Sequence, residues 1–170
     1  LECPIEKNLL SSQRLNPIIR LLSSKEIRDG EKRFMTCDPK FPIVCTTYRL
    51  SEHWQTGTMT RRQPWLVELQ PCVFIEMCRE LAEDKGIKNG ERCLIKSARG
   101  NMEAVAIVTD RLQPLLVNDQ KIYQVGLPWH FGWMAPEGGG DSANILTPHV
   151  GDANTMIPEY KAFLVNVNKA

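Results

Sequence analysis

Apolar positions in this chain occur as short runs, separated by polar segments rich in glycine and proline, which is typical of a protein built from short β-strands. Predicted strands lie at 41–50, 74–77, 92–97, 103–108, 121–126 and 160–167. Between them, Arg79–Lys85 predicts a short helix that ends at Gly86. Turns are predicted at 87–90, 98–101 and 117–120. Many short strands with few helices predict a mainly β fold, a closed β-barrel.

The pattern divides the chain into two parts. Residues 1–40 are weakly patterned and predict a connector or N-terminal extension, apart from 15–22, which predicts a short helix or strand. Residues 41–170 carry the strand pattern and predict the barrel domain. Within that domain, 127–157 combines tryptophans, three prolines and three consecutive glycines, and predicts a long functional loop or a set of short helices.

Composition and charge narrow the class of protein. A chain of 170 residues predicts one domain, or one domain with a tail. The net charge of +1 argues against a nucleic-acid partner, because nucleic-acid binders usually carry a strong basic excess. No apolar run is long enough to cross a bilayer, so no direct membrane insertion is expected. The N-terminus lacks the pattern of a signal peptide and an initiator Met, which predicts a fragment or a processed product.

The cysteines do not predict a metal site. Six occur, and no two have the CxxC spacing of common zinc and iron–sulfur loops. Cys45 and Cys93 lie in apolar runs, where a cysteine usually behaves as a small buried hydrophobe. No cysteine pattern demands a disulfide, although disulfides stay possible.

The richest set of hydrogen-bond donors lies at 48–62, closely following the apolar run 41–45, which predicts a buried strand. This stretch contains three arginines, a histidine, a tryptophan, a glutamate and several threonines around Gly57. Loops at the ends of buried strands commonly hold ligands. Guanidinium, imidazole, hydroxyl and backbone N–H donors together suit a phosphorylated, heteroaromatic ligand.

Each candidate side chain has a plainer alternative. Arg49, Arg61 and Arg62 could neutralise a diphosphate, with bidentate geometry favouring Arg, or could form a solvated basic rim. Glu52 could accept from a guanine or pterin, or pair with Arg49. Trp54 could stack on a ring system or fill the core.

The same holds for the polar residues. His53 could donate to a phosphate or simply be hydrogen-bonded within the loop. Asn144 offers a paired donor and acceptor to a heterocycle, or is an ordinary turn residue. Lys161 offers a charge to a phosphate or pterin oxygen, or is an exposed charge on an edge strand. Asp152 and Asn154 could only cap a helix or turn.

Four stretches resemble a known family: Thr46–Arg61, Arg79–Gly100, Val125–Gly132 and Ala143–Leu164. In them the chain is similar to the C-terminal domain of the catalytic (alpha or major) subunit of molybdenum- or tungsten-dependent formate dehydrogenases. These enzymes belong to the molybdopterin-dinucleotide oxidoreductases. The resemblance covers about 41–167, and its first and last stretches match in both spacing and order.

The resemblance implies a six-stranded double-psi β-barrel, like that of aspartate decarboxylase. It also implies a bis(molybdopterin guanine dinucleotide) cofactor with Mo or W, whose metal is ligated by another part of the enzyme. A pterin contact is implied for His130, whereas Trp129 could contact the pterin or belong to the core. The implied cofactor-binding residues are Thr47, Tyr48, Arg49, Glu52, His53, Trp54, Gln55, Thr56, Gly57, Met59, Thr60, Arg61, His130, Asn144, Tyr160 and Lys161.

The implied activity is oxidation of formate to carbon dioxide by the whole catalytic subunit. This chain alone is not expected to be catalytic, because it has no counterpart of the metal-ligating cysteine or selenocysteine. Expected partners are the remainder of the catalytic subunit and an iron–sulfur electron-transfer subunit, with the bacterial periplasm as the expected compartment and the cytoplasm as the alternative. Alternatives in function are the same domain of a nitrate reductase or other molybdopterin oxidoreductase, or a ligand-free interaction module. A self-processing decarboxylase is disfavoured because no Gly-Ser dipeptide occurs.

Overall fold

The computed structural model describes residues 39–117, 119–132, 140–148, 157–158 and 160–170. The predicted element at 15–22 and nearly all of the predicted connector lie outside these ranges, as do much of the predicted 127–157 loop and the predicted caps Asp152 and Asn154.

Eight strands, two short α-helices and two 3₁₀ turns make up the described chain. The strands are β1 (Ile43–Tyr48), β2 (Phe74–Met77), β3 (Arg92–Lys96), β4 (Asn101–Val108), β5 (Leu115–Val117), β6 (Gln120–Ile122), β7 (Gln124–Pro128) and β8 (Phe163–Lys169). The helices are α1 (Pro64–Leu69) and α2 (Arg79–Lys85), and the 3₁₀ turns are Thr60–Arg62 and Ala143–Ile145.

Six of the strands close into a barrel in the order β1-β7-β2-β4-β3-β8, which confirms the predicted six-stranded barrel. Two pairs run parallel, β1 with β7 and β2 with β4, and the other neighbours run antiparallel. Alternate side chains of β1 point inward, so Ile43, Cys45 and Thr47 are buried while the residues between them are half-buried. Closure leaves the barrel without an exposed strand edge.

The barrel interior is apolar and continuous with α2. Its largest fully buried side chains come from most of the barrel strands and from α2: Phe163, Ile43, Ile75, Met77, Leu81, Ile95, Met102 and Leu127. Within the described ranges, no group of three or more His, Cys, Asp or Glu side chains is arranged to hold a metal ion. No helix in that part of the chain is long and apolar enough to cross a membrane.

The short helix α2 is confirmed together with its predicted cap. Gly86 ends it in the left-handed conformation, with φ of 63°, and its N–H returns to carbonyls of the last turn. At the other end, the Leu81 N–H donates to the Cys78 sulfur at 3.4 Å. The helix therefore has a satisfied cap at each end.

Two predicted strands differ from the structure. The run predicted as one strand at 121–126 is two strands, because β6 pairs with β5 in a separate two-stranded sheet and β7 enters the barrel. Tyr123 lies between them, and its carbonyl accepts from the Val44 N–H at 3.0 Å. The last strand begins at Phe163, not at 160, and extends to Lys169. Both are pairing effects that an apolar run alone does not reveal.

Helix α1 was not predicted from the sequence. It begins at Pro64, whose fixed φ and missing N–H suit the first turn of a helix. None of its six residues is buried, so no amphipathic stripe marks it. The proline was the available signal.

A hydrogen-bond network joins β1 to β2 next to Gly126. The Tyr48 hydroxyl donates to Glu76 Oε2 at 2.5 Å, and the Arg111 guanidinium donates to Glu76 Oε1 at 3.1 Å. The Tyr48 ring lies over Gly126, where any Cβ would overlap it. The pKa of Tyr48 is raised by burial first and by the Glu76 carboxylate second.

Candidate functional site

Strand direction gathers several loops at one end of the barrel. Parallel β1 and β7 finish side by side, with Tyr48 opposite Pro128, so the segments after them leave the barrel together. Antiparallel β8 starts at the same end, with Cys45 opposite Phe163. The 49–62 loop, the residues after β7 and the residues before β8 therefore meet there.

A pocket of about 490 Å³ opens in the 49–62 loop. Six of the sequence-predicted cofactor residues line it together with three further side chains. The lining residues are Arg49, Leu50, Ser51, Glu52, His53, Trp54, Gln55, Thr60 and Leu66.

His130, just after β7, holds the loop from inside. Its side chain is fully buried, the Leu50 N–H donates to its Nε2 at 2.7 Å, and its Nδ1 is hydrogen-bonded to the Gln55 carbonyl. Because Nε2 accepts, Nδ1 must carry the proton and donate. Both ring nitrogens are thus used by the backbone of the loop, and the predicted contact of His130 with a pterin stays a prediction.

His53 crosses the loop at a second point. Its Nε2 lies 2.8 Å from the Gln70 carbonyl, to which it must donate, so Nδ1 is free to accept from the Thr60 hydroxyl at 3.3 Å. That hydroxyl in turn accepts from the Trp54 N–H at 3.0 Å. The network joins the two ends of the loop to the residue that follows α1.

Arg61 is a cation buried beside the Phe131 ring. The residue is only 8% exposed, and within the described structure its Nε and both terminal nitrogens find no acceptor. The guanidinium carbon lies 5.6 Å from the centre of the Phe131 ring, a cation–π distance. Burial lowers the pKa of Arg61. A buried charge left in this way is costly, which marks the position as a candidate anion site.

Gly57 lets the loop close on Arg61 and His130. Its φ of 80° lies in the left-handed region. A Cβ there would overlap the His130 carbonyl oxygen and lie 3.0 Å from Arg61 Nε. The Gly57 N–H donates to the Trp54 carbonyl at 2.8 Å, completing a tight turn.

A second basic group lies where β8 begins. The Lys161 ammonium donates to the Thr47 carbonyl, and the Thr47 hydroxyl donates to the Tyr160 carbonyl at 2.8 Å. Burial lowers the pKa of Lys161, and the nearby Arg49 charge lowers it further. The Arg49 guanidinium itself stacks over the Trp129 ring at 5.2 Å.

The charged groups of this end repel one another. Burial lowers the pKa of His130, and His53, Arg49 and Arg61 lower it further against the opposing effect of the Gln55 carbonyl. Like-charged side chains held together favour an anion among them. The arrangement suits a ligand with phosphate groups and a flat ring system.

The predicted site residues separate into distinct places. Tyr48 points to Glu76 and Gly126, away from the pocket lining. Asn144 is exposed in a 3₁₀ turn capped by the Ser142 hydroxyl and is absent from that lining. Thr56 and Met59 are exposed residues of the loop. Direct cofactor contact by these four, as by the other predicted site residues, stays a prediction.

Three of the plainer alternatives are wrong. Trp54 is 60% exposed and does not fill the core. Lys161 is exposed, but it lies before β8 and not in a strand, and its ammonium is hydrogen-bonded to the Thr47 carbonyl. Arg61 is not part of a solvated rim. Trp129 is half-buried and packs on the core, as one of its two predicted roles required.

Sequence analysis missed Leu66, Gln70 and Phe131. Leu66 lines the pocket from α1, the Gln70 carbonyl accepts from His53, and Phe131 stacks on Arg61 and stands edge-on to His53 at 5.5 Å. The Gln70 contact is made by a backbone carbonyl, which carries no sequence signal. Phe131 directly follows His130 and could have been noticed from that neighbour.

The geometry agrees with comparisons to known proteins. Residues 43–164 match the family model described as "Molydopterin dinucleotide binding domain". The chain belongs to this family. A molybdopterin dinucleotide is therefore the class of cofactor that this domain family binds.

Similar proteins include the "Formate dehydrogenase subunit alpha" of Megalodesulfovibrio gigas, 49% identical over 170 residues, or 100% of this chain and 16% of that protein. The nitrate-inducible major subunit of an Escherichia coli (strain K12) formate dehydrogenase is 46% identical over 167 residues, covering 98% of this chain and 15% of that protein. The chain thus spans about one sixth of the curated relatives it matches.

A solved structure, the acetylene hydratase of Pelobacter acetylenicus, shares the fold. The two superpose with a TM-score of 0.60 at 13% identity, over 90% of this chain and 22% of the other. At that identity the likeness supports the fold alone.

The residues present fit a dinucleotide cofactor. A diphosphate needs positive charge and N–H donors, and Arg49 offers both at the pocket wall. Arg61, in the same loop, has no hydrogen-bond acceptor among the described residues. Flat rings need stacking surfaces, and Trp54 offers an exposed indole at the same wall.

Proposed function

We propose that this chain binds and orients the guanine dinucleotide part of a bis(molybdopterin guanine dinucleotide) cofactor in the catalytic subunit of a formate dehydrogenase. The observation that carries the proposal is Arg61, a buried guanidinium without an acceptor among the described residues, which acts on His130 together with the basic groups His53 and Arg49. A diphosphate supplies the negative charge that this arrangement lacks.

In this proposal the chain's own residues bind and position the cofactor. Arg49 donates to phosphate oxygens from the pocket wall, and Arg61 adds positive charge from the same loop. His53 holds the wall in place through Gln70 and Thr60. Trp54 stacks on a ring, and Glu52 accepts from the amino and ring N–H groups of guanine, the pairing its carboxylate allows. Lys161 extends the positive field at the start of β8. The bound metal supplies the redox chemistry with formate, and its protein ligand lies outside this chain.

The proposal extends to the whole enzyme. The relatives that match nearly all of this chain are named as alpha or major subunits of formate dehydrogenases, which supports the remainder of a catalytic subunit as the first partner. An iron–sulfur electron-transfer subunit is the second proposed partner, because electrons leaving a buried metal need a chain of redox centres. We propose the bacterial periplasm as the compartment; a leader peptide in the complete gene would test this.

The test is a joint analysis of the protein purified from its native source. Intact mass and subunit composition are measured, together with acid-released guanine nucleotide and with molybdenum and tungsten by elemental analysis. We expect nucleotide and one of the two metals in fixed ratio to a polypeptide several times longer than this chain. Their absence from a folded, full-length polypeptide would contradict cofactor binding.

Activity separates formate dehydrogenase from the alternatives. Reduction of an artificial dye with formate as donor is expected, and reduction of nitrate with a reduced dye is not. Nitrate reduction without formate oxidation would keep the cofactor and reject the substrate. Metal analysis of the active fraction then decides between Mo and W.

A further inference from the structure

His130 is placed to control the shape of the cofactor loop. It follows β7, its ring is fully buried, and it is the common partner of two backbone groups in the 49–62 loop. The Leu50 N–H donates to Nε2 at 2.7 Å and Nδ1 donates to the Gln55 carbonyl. One imidazole therefore joins two points of the pocket lining, since Leu50 and Gln55 both belong to it.

The backbone between those points is held in a conformation that it rarely adopts alone. Gln55 has φ of 53° although it is not a glycine, which is uncommon. Two residues later, Gly57 packs against the His130 carbonyl oxygen so closely that no Cβ fits. Because the ring and the carbonyl of the same residue both contact the loop, the position of His130 sets the loop's shape.

Only the neutral imidazole can make both contacts. With Nδ1 donating to a carbonyl, Nε2 must keep its lone pair to accept from the Leu50 N–H. A second proton on Nε2 would point a donor at a donor. The charged or titratable groups acting on His130 are His53, Arg49 and Arg61, all basic, and its ring neighbour is Trp129 at 5.6 Å.

We propose that His130 is a positioning residue whose neutral ring keeps the 50–57 segment in the shape that binds the cofactor nucleotide, so that protonation of this ring loosens the segment and releases nucleotide in acid. This inference rests on the proposed function. It assigns His130 a task through Leu50 and Gln55, without contact to the reacting atoms. Burial lowers the pKa of His130, which agrees with a ring held neutral near neutrality.

Two conservative variants split the two contacts. His130→Gln can place an amide oxygen near the position of Nε2 and still accept from the Leu50 N–H, without a group that titrates. His130→Asn can place an amide nitrogen near Nδ1 and still donate to the Gln55 carbonyl, but it leaves the Leu50 N–H without an acceptor. Ile95→Val, in β3 and fully buried, serves as a destabilised control away from the loop.

The experiment uses the intact protein with its native partners and follows two readouts between about pH 8 and 5, a range that brackets the ordinary histidine pKa. Guanine nucleotide retained after gel filtration is quantified, and amide hydrogen exchange is measured for 50–57 and, as reference, for β2 and β4. In the native sequence we expect retention to fall up to about tenfold per pH unit once the ring protonates. Loop exchange should rise in parallel while the barrel strands stay protected.

The variants give the decisive pattern. His130→Gln should retain nucleotide with a flat profile through the acid range, His130→Asn should retain little at any pH, and Ile95→Val should keep the native profile. Since His53 is unchanged in all variants, it cannot produce these differences. An acid profile in His130→Gln equal to the native one would overturn the inference. Absence of guanine nucleotide from the native protein at every pH would instead reject the proposed function.

Discussion

Replacing Arg61 with methionine should raise the stability of the chain and weaken its binding of nucleotide. The Arg61 nitrogens have no acceptor in the described structure, and a buried polar group in that condition costs about 1–3 kcal/mol, more when charged. Its cation–π contact with Phe131 offsets this cost by stabilising the folded state by about 1–2 kcal/mol. Methionine fills similar volume without charge and contacts the ring well. We therefore expect Arg61→Met to stabilise the 170-residue chain by about 1 kcal/mol, or about 2–4 °C in Tm.

Arg61→Met should at the same time weaken nucleotide binding. At an assumed separation of roughly 8 Å between Arg61 and a bound phosphate, two unit charges attract by about 2 kcal/mol at an effective dielectric constant near 20. Solvent at the pocket mouth reduces this, so about 1–2 kcal/mol remains, equivalent to a roughly 5–30-fold rise in Kd. Direct contact with a phosphate after a loop shift would make the loss larger. Guanosine diphosphate titrated calorimetrically is the probe, at low and at physiological salt.

The matched control is Arg92→Met at the start of β3. This arginine is exposed and pairs with exposed Glu103 at 3.2 Å, so its loss should cost less than about 1 kcal/mol and leave Kd unchanged. Arg61→Met that lowers stability by more than about 1 kcal/mol with an unchanged Kd would refute the reasoning, because Arg61 would then be a structural residue with a partner.

Three further outcomes are expected. Gly57→Ala should cost about 2–3 kcal/mol in urea unfolding and reduce nucleotide binding, because its positive φ and the His130 carbonyl leave no room for a Cβ; equal stability would show that the loop readily changes shape. Tyr48→Phe should lower the free energy of unfolding by about 1–2 kcal/mol, because buried Glu76 loses a donor, and the nucleotide Kd of the folded protein should not change. A large rise in Kd would show that Tyr48 contacts the nucleotide directly. Cys93, buried with its pKa raised to about 11 mainly by burial, should react with iodoacetamide at pH 8 at least about 100-fold more slowly than in unfolded protein; fast reaction would mean that β3 opens.

The fold was largely predictable because its signals are local. Alternating apolar runs marked the barrel strands, and Gly86 marked the end of α2. The division of 121–126 between β6 and β7 was not predictable, because the same apolar run continues through Tyr123 and only pairing partners tell the two strands apart. Helix α1 was not predicted for a related reason: a helix without a buried face shows no helical periodicity of apolar residues in the sequence.

The sequence by itself determined the chemistry available and its position in the chain: the loop after β1 and its guanidinium, imidazole, indole and hydroxyl groups. Which of these groups line the pocket depends on the tertiary structure. Tyr48 is the last residue of β1, directly before that loop, and it turns to Glu76 because alternate residues of a strand face opposite ways. His130 lies 75 residues from Gln55 and meets it only because β1 and β7 are parallel neighbours. Arg61 is buried and finds no acceptor among the described residues because of what surrounds it in space, and spacing along the chain does not reveal those neighbours.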